Sequence, residues 1–272
     1  MNAQISVSIV TFYTERTAKL IKKINVLKNL LIELSENYLV QNIFISDNSL
    51  DSKFVAQFKS IPKVIYVHNK SNYGYAKGHN ISRDYLKYLK YHLIINPDII
   101  FAKQTSENVL SRLISFMEKD TDVHMIQPLI CDEGSEKIQY LCKRNPTLFI
   151  QFLRGFSNPK ILNFFKKYNH WYEMRESAYK NKPVESTYLS GSFMLCRRKY
   201  LDINNWMDSR YFMYLEDADL TRSFNKFGKC IHYPLVKVEH LWEKGSKKYL
   251  FLKIHAIRSF IFYSLKWGLK II

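Results

Sequence analysis

At 272 residues the chain can bury one substantial core with a smaller appended lobe, and 47% hydrophobic with 24% charged content excludes a disordered polymer. Lys and Arg number 41 against 24 Asp and Glu, a net charge of +17, which calls for an anionic partner: nucleic acid, an anionic membrane surface or a phosphorylated substrate. Four cysteines (Cys131, Cys142, Cys196, Cys230) form neither a CxxC pair nor a zinc spacing, which argues against a disulfide scaffold and for reduced thiols in the cytoplasm.

In chain order, Ser6–Phe12 is β-branched and compact and predicts a first strand. Neither a preceding basic region nor a small-residue cleavage site makes it a signal peptide. Thr17–Tyr38 carries Leu20, Ile24, Leu27, Leu31 and Leu34 at helical spacing. Asn42–Asp47 and Lys63–His68 predict two further strands, Tyr75–Lys90 a helix and Tyr91–Asn96 a fourth strand. Thr105–Lys119 reads as a helix and Val123–Gln127 as a strand. Strands alternating with helices predict an α/β fold, an open, mostly parallel sheet covered on both faces. Ligands of such sheets sit beyond the carboxyl ends of the strands. Between Cys142 and Val184 the chain turns rich in Phe, Tyr, Asn and Lys without a clean period, as an insertion, a lid or a partner surface would be. Thr187–Cys196 predicts another strand, and Leu220–Phe227 a helix.

The chemistry-bearing residues follow strands. Asp47, in SDNSLD, ends the second strand, where a carboxylate can accept from a nucleobase or ribose hydroxyl or close a turn. The segment NYGYAKGHN (Asn72–Asn80) follows the third strand. Gly74 and Gly78 allow a tight entry into a helix and close approach to a ligand, here a diphosphate at the helix N-terminus, or they form a plain loop–helix junction. Asn96-Pro97-Asp98 follows the fourth strand, where one carboxylate can share a hard divalent cation with substrate phosphates. Glu216, Asp217 and Asp219 stand within four residues of a basic chain. One acid suffices to favour a helix start, and three repel one another, so the cluster points to function. His240, in HLWEKGS, could ligate a metal as neutral imidazole beside a carboxylate.

In this order the motifs resemble the inverting glycosyltransferases of GT-A fold, family 2, and within them the rhamnosyltransferase-like branch that builds bacterial surface polysaccharides. The resemblance covers roughly residues 5–246. It implies a Rossmann-like catalytic domain over residues 1–246, with 142–184 as insertion or acceptor lid and 247–272 as a basic apolar segment. It also implies a nucleotide-diphosphate sugar donor, with dTDP-rhamnose first and a UDP-hexose or UDP-galactofuranose as alternatives. The implied acceptor is a polyprenyl-diphosphate-linked oligosaccharide. Thr11, Asp47, Asn48 and Ser49 are expected at the nucleoside, and Asn72, Gly74 and Asn80 along the donor pocket. Asp98 holds the last position of a DxD metal motif in which Asn96 replaces the first acid. It is expected to bind Mg²⁺ or Mn²⁺ with His240. Gly191 and Ser192 are expected to border sugar and acceptor. Asp217 falls at the catalytic base, flanked by Glu216 and Asp219.

The last segment, Tyr249–Ile272, mixes apolar residues with Lys253, Arg258, Lys266 and Lys270. These charges interrupt any membrane span, and on a helical wheel they gather on no single face. A helix lying on an anionic membrane, one packed on the catalytic domain and one packed in a homodimer are the open alternatives. The charge comes with no helix-turn-helix, zinc-finger or RNP-like pattern, and an acidic block at the expected cleft opposes phosphate without a metal. Both observations argue against nucleic acid.

Overall fold

The structure, a computed structural model, describes residues 4–14, 18–241 and 250–272. The HLWEKGS motif beyond Leu241, and the basic residues Lys244, Lys247 and Lys248, lie outside the described residues. The chain begins β1 (Ile5–Thr11), α1 (Ala18–Glu36), β2 (Val40–Asp47), β3 (Val64–His68), α2 (Gly74–Ile81), β4 (Tyr91–Ile95), β5 (Ile99–Ile100), α3 (Ser106–Lys119) and β6 (Val123–Asp132). It continues with β7 (Cys142–Lys143), α4 (Leu148–Gly155), α5 (Pro159–Phe164), α6 (Lys166–Tyr172), β8 (Val184–Glu185), β9 (Tyr188–Leu189) and β10 (Phe193–Arg197). The last elements are α7 (Arg198–Ile203), α8 (Glu216–Phe224), β11 (Lys229–His240) and α9 (Leu250–Trp267).

The main sheet has the order β3-β2-β1-β4-β10-β6-β11-β5, with β8 also on β11. Strands β3, β2, β1, β4, β6 and β11 run one way, and β10, β5 and β8 run against them, so the sheet is mixed and mostly parallel. Alternation along the strands builds a core on each face. Val7, Ile9, Leu93, Ile95 and Leu195 join Leu27, Leu31 and Leu34 of α1. Ile94, Met194 and Cys196 join Leu220 and Phe224 of α8 and Tyr263 of α9. The four cysteines are buried and free.

Three elements depart from the pattern read in the sequence. The helix expected to Lys90 stops at Ile81 and gives way to a 3₁₀ turn at Ser82–Asp84, because the chain must reverse to feed β4 alongside β1. The strand expected over Thr187–Cys196 is broken at Ser190–Ser192. Its first part pairs with β7 in a separate small sheet, and its second part enters the main sheet between β4 and β6. Strand β6 runs past Pro128 to Asp132: its ladder with β11 shifts register between Tyr233 and Lys237, and a proline without an amide hydrogen is tolerated at such an irregularity.

Candidate active site

At the ends of β1 and β2, Asp47 is fully buried and fully occupied. Its Oδ1 accepts from Thr11 Oγ1 at 3.0 Å and from the Ser49 amide at 3.0 Å, and its Oδ2 accepts from the Tyr66 hydroxyl at 2.8 Å. Asn48 donates to Gly74 O at 3.0 Å and accepts from Asn69 at 2.8 Å. Asp47 therefore shapes the loop from beneath, while Ser49 Oγ accepts from the Tyr13 amide at 2.9 Å. Asn48 thereby ties this loop to the one after β3, which enters α2 through Gly74. The Gly74 amide donates to Asn72 Oδ1 at 2.9 Å, and its φ of +79° is one that glycine adopts without strain. A Cβ there would stand 2.1 Å from Phe212 O, so only glycine lets the 212 loop close on α2.

The ends of β4 and β11 meet because β5 returns along β11, setting Ile99 opposite His240. His240 Nε2 consequently lies 3.0 Å from Asp98 Oδ1 and 3.4 Å from the Asn96 amide nitrogen. Gln139 decides the tautomer. Its amide nitrogen donates to Asp132 Oδ1 at 2.9 Å and to His240 O at 3.1 Å, so its carbonyl is the atom 2.9 Å from His240 Nδ1. Nδ1 therefore donates to Gln139, which leaves Nε2 facing the carboxylate. An imidazole nitrogen and a carboxylate oxygen held this close fit a bound divalent cation, with Gln139 orienting the ligand from behind. Among the described residues no three His, Cys, Asp or Glu side chains gather around one point, and a cation on this pair would have positions open to phosphate oxygens or water.

Between these two clusters lies the broken strand. Asn96 N donates to Ser192 O at 3.0 Å, the Tyr75 hydroxyl donates to Gly191 O, and Gly191 N donates to Asp217 Oδ2 at 2.9 Å. Asp217 opens α8, its Oδ1 also accepting from Ala218 N at 2.9 Å. The turn before it holds Tyr214 and Leu215 at φ of 72° and 65°, a left-handed pair that side chains adopt only under strain, and such strain gathers at functional sites. Glu216 is buried, with Oε2 lacking a hydrogen-bond partner among the described residues. Burial and then the adjacent Asp217 push its carboxyl well above the usual carboxylate range, so it holds its proton where an ordinary glutamate is ionised.

By sequence, no family profile and no curated protein matches the chain. In structure it is similar to GalNAc-T7 solved with UDP, GalNAc and Mn²⁺ (TM-score 0.58, 16% identity, 89% of this chain and 44% of that one). It is also similar to the mannosyltransferase PcManGT of Pyrobaculum calidifontis in complex with GDP-Man and Mn²⁺ (TM-score 0.58, 13% identity, 98% and 66%). Staphylococcus aureus TarS 1-349 in complex with UDP-GlcNAc is a third (TM-score 0.53, 14% identity, 90% and 60%). The fold is that of GT-A glycosyltransferases. The chain spans less than half the length of GalNAc-T7.

Within this GT-A frame the structure brings together Thr11, Asp47, Asn48 and Ser49, then Asn96, Asp98 and His240, then Gly191, Ser192, Glu216 and Asp217. Two expected residues stand apart. Asn80 exchanges hydrogen bonds with the Met207 backbone at 2.7 and 3.1 Å and donates to Ser209, so its amide pins a loop. Asp219 accepts from Trp267 Nε1 at 2.7 Å and Lys266 Nζ at 2.8 Å, so it anchors α9. Four residues escaped sequence reasoning. Tyr13 is buried, and burial, then Asp98 and Asp47, raise its hydroxyl pKa, which puts it between the two clusters. Tyr75 is raised likewise, by burial, then Glu216, Asp217 and Asp98. Lys143 lies 4.6 Å from the Tyr188 ring centroid, its pKa lowered to about 8 by burial and then by Arg154. Tyr13 and Gln139 sit in loops, Lys143 in the short strand β7 and Tyr75 in the first turn of α2, all far from the acids in sequence. Only the Tyr that follows Gly74 stood inside a recognisable motif.

Proposed function

We propose that this protein is an inverting glycosyltransferase that moves a sugar from a nucleotide-diphosphate donor to a hydroxyl of a lipid-linked surface glycan. The observation that carries the reading is the convergence of the Asp98–His240 pair and the Asp217 carboxylate across Gly191 and Ser192, at the carboxyl ends of the strands. On this reading Asp98 and His240 hold a divalent cation, Mg²⁺ or Mn²⁺, which supplies Lewis-acid stabilisation of the departing diphosphate. The loop of Thr11, Asn48 and Ser49 seats the nucleoside, and Gly191 and Ser192 give the sugar a backbone wall without side-chain bulk. Asp217 takes the proton of the acceptor hydroxyl as its oxygen bonds to the anomeric carbon from the face opposite the leaving group. The old glycosidic bond breaks in the same displacement, and the configuration inverts. General base action of this kind contributes ~10²–10⁴-fold. Residues 1–246 form the catalytic domain in this reading, with 142–184 on the acceptor side.

The motif resemblance favours dTDP-rhamnose as donor. UDP in the GalNAc-T7 and TarS structures supports a UDP-hexose or UDP-galactofuranose as the second reading. Calorimetric titration with dTDP, UDP and GDP, each with and without Mg²⁺ or Mn²⁺, tests both. Metal-dependent preference for dTDP supports the first reading and preference for UDP the second. Absence of binding to all three sinks the transferase. Asp98→Ala is expected to remove the metal dependence of nucleotide binding.

A further inference from the structure

Helix α9 has two apolar faces, and the described residues cover only one. On the inner side Ser259 donates to Met213 O at 2.8 Å, Tyr263 is buried with its hydroxyl donating to Asn145 at 3.2 Å, and Lys266 and Trp267 grip Asp219. On the outer side Ile254, Ile257, Ile261 and Leu265, at spacings of three and four, form one stripe that is 47–77% exposed. Apolar stripes of this kind on a helix are normally buried.

A second stripe lies beside the first. Leu148 and Phe152 of α4 and Phe156 just past its end, about one turn apart, are all exposed, and Phe164 of α5 is 82% exposed. The two stripes are joined at both ends: Lys253 Nζ of α9 stands 5.8 Å from the Phe156 ring centroid, and Leu148 N donates to Lys270 O at 2.8 Å. Singly exposed hydrophobics are ordinary, but a contiguous apolar patch marks an interaction surface.

Charge identifies the partner. The segments 148–172 and 250–272 that build this surface contain eight Lys and Arg and no Asp or Glu; Arg154 is paired with Glu173 and Lys266 with Asp219, so the charge of the face rests on Lys160, Lys166, Lys167, Lys253, Arg258 and Lys270. Two-fold packing of a second copy would set cations against cations. An anionic bilayer instead offers hydrocarbon to the stripes and phosphate to the rim, with long lysines reaching outward from an apolar bed. No helix among the described residues is long and apolar enough to cross a membrane, which matches a surface that lies on one. We propose that the joint α4–α5–α9 face is a docking surface for an anionic lipid bilayer. The bilayer alternative for the C-terminal segment thus extends to helices read from sequence as an insertion or lid. Because α9 is tied to α8 through Asp219, docking would hold Asp217 on a body seated at the membrane.

The proposal goes beyond the transferase reading and is tested without donor or acceptor. The full chain is floated with phosphatidylcholine vesicles with and without phosphatidylglycerol, alongside the double variant Phe152→Glu/Ile261→Glu. Both positions are exposed, and thermal unfolding verifies that the variant is folded. Wild type is expected to float with the anionic vesicles, less so at high salt, and the variant to partition at least ~10-fold more weakly. Failure of wild type to float, or equal flotation of the folded variant, overturns the proposal. So does a concentration-dependent dimer that the variant abolishes without any vesicle binding, because the surface would then belong to a second copy.

Discussion

The loop around Asp47 and the turn around Glu216 are both buried, acidic and at the mouth of the same sheet, yet they are built in opposite ways. Both Asp47 oxygens meet donors, from Thr11, Ser49 and Tyr66, and the adjoining Asn48 amide is used at both ends. Glu216 keeps an oxygen without a partner among the described residues and follows two left-handed residues. A buried polar group without a partner destabilises the fold by about 1–3 kcal/mol, so this arrangement persists only because the surroundings over-determine it. The contrast separates a half that holds shape from a half that holds unsatisfied valence and strain beside Asp217. Asp217 itself accepts from Gly191 N and Ala218 N, so the open valence belongs to its neighbour, Glu216.

The largest effect that would break this comparison comes from Asp217. Asp217→Asn keeps one of the two backbone contacts, with Gly191 N or with Ala218 N, through its single carbonyl oxygen, but cannot take a proton. Turnover is expected to fall by at least ~10²-fold with nucleoside diphosphate affinity unchanged. Single-turnover transfer assays with calorimetry decide it, and near-normal turnover would remove the chemistry from this half. Next comes Gln139→Leu, which deletes the acceptor that fixes His240. Mn²⁺ affinity in the presence of nucleoside diphosphate is expected to drop ~10–100-fold, the usual effect of losing such an orienting partner, while metal-free nucleoside affinity holds. Unchanged Mn²⁺ affinity would mean that His240 is oriented by something else.

Much of this was legible in the chain itself, and the residues explain where legibility stopped. Asp47, Asp98 and His240 are readable because each follows a short apolar run, and strand ends are where open α/β sheets place ligands; Asp217 is readable because it stands in the densest acidic group of a basic chain. Asn80 and Asp219 belong to the same motifs, but their roles depend on the 207–209 loop and on Trp267, which are remote in sequence. Gln139 is unreadable in principle: its function is the direction of one amide, set by Asp132 and the His240 carbonyl. The break at Gly191 was hidden by an apolar run that looks continuous, since only the approach of Tyr75 and Asp217 requires it. The mix of apolar residues and scattered charge over Tyr249–Ile272 left membrane, domain and dimer packing open, and could not report that the described residues leave one face of α9 uncovered.

A smaller, acid-side effect sharpens the picture of the shape-holding half. Under β1, Ser8 Oγ lies 2.9 Å from His92 Nε2 and 2.7 Å from His79 Nδ1, and Ser6 Oγ lies 2.8 Å from His92 Nδ1. Burial lowers the pKa of His79 to about 3 and that of His92 well below its model-compound value of 6.5. Below that value the unfolded chain binds protons that the folded chain refuses, so stability falls as pH falls. Each such histidine contributes ~1.4 kcal/mol per pH unit. Denaturant midpoints of wild type and of His79→Gln between pH 7 and pH 4 are expected to diverge, with wild type losing more. Parallel profiles would mean that the network is not held neutral.

The smallest effect on activity, and the most discriminating one, belongs to Glu216→Gln. If the carboxyl carries its proton in the folded protein, the amide is nearly its isostere, and transfer should change by less than ~10-fold where Asp217→Asn abolishes it. The stability arm has a definite sign. Glu216 is raised above its ordinary value of 4.5 in the fold, so its contribution is intact below that pH and is lost as pH rises toward the folded value. The glutamine has no proton to lose. Wild type should therefore weaken relative to Glu216→Gln between pH 5 and pH 8, the reverse of the histidine effect, and the two trends can be read from one set of urea midpoints. A variant that loses transfer as completely as Asp217→Asn would make Glu216 a second ionised participant, and the division between an open acid and its working neighbour would collapse into a coupled pair.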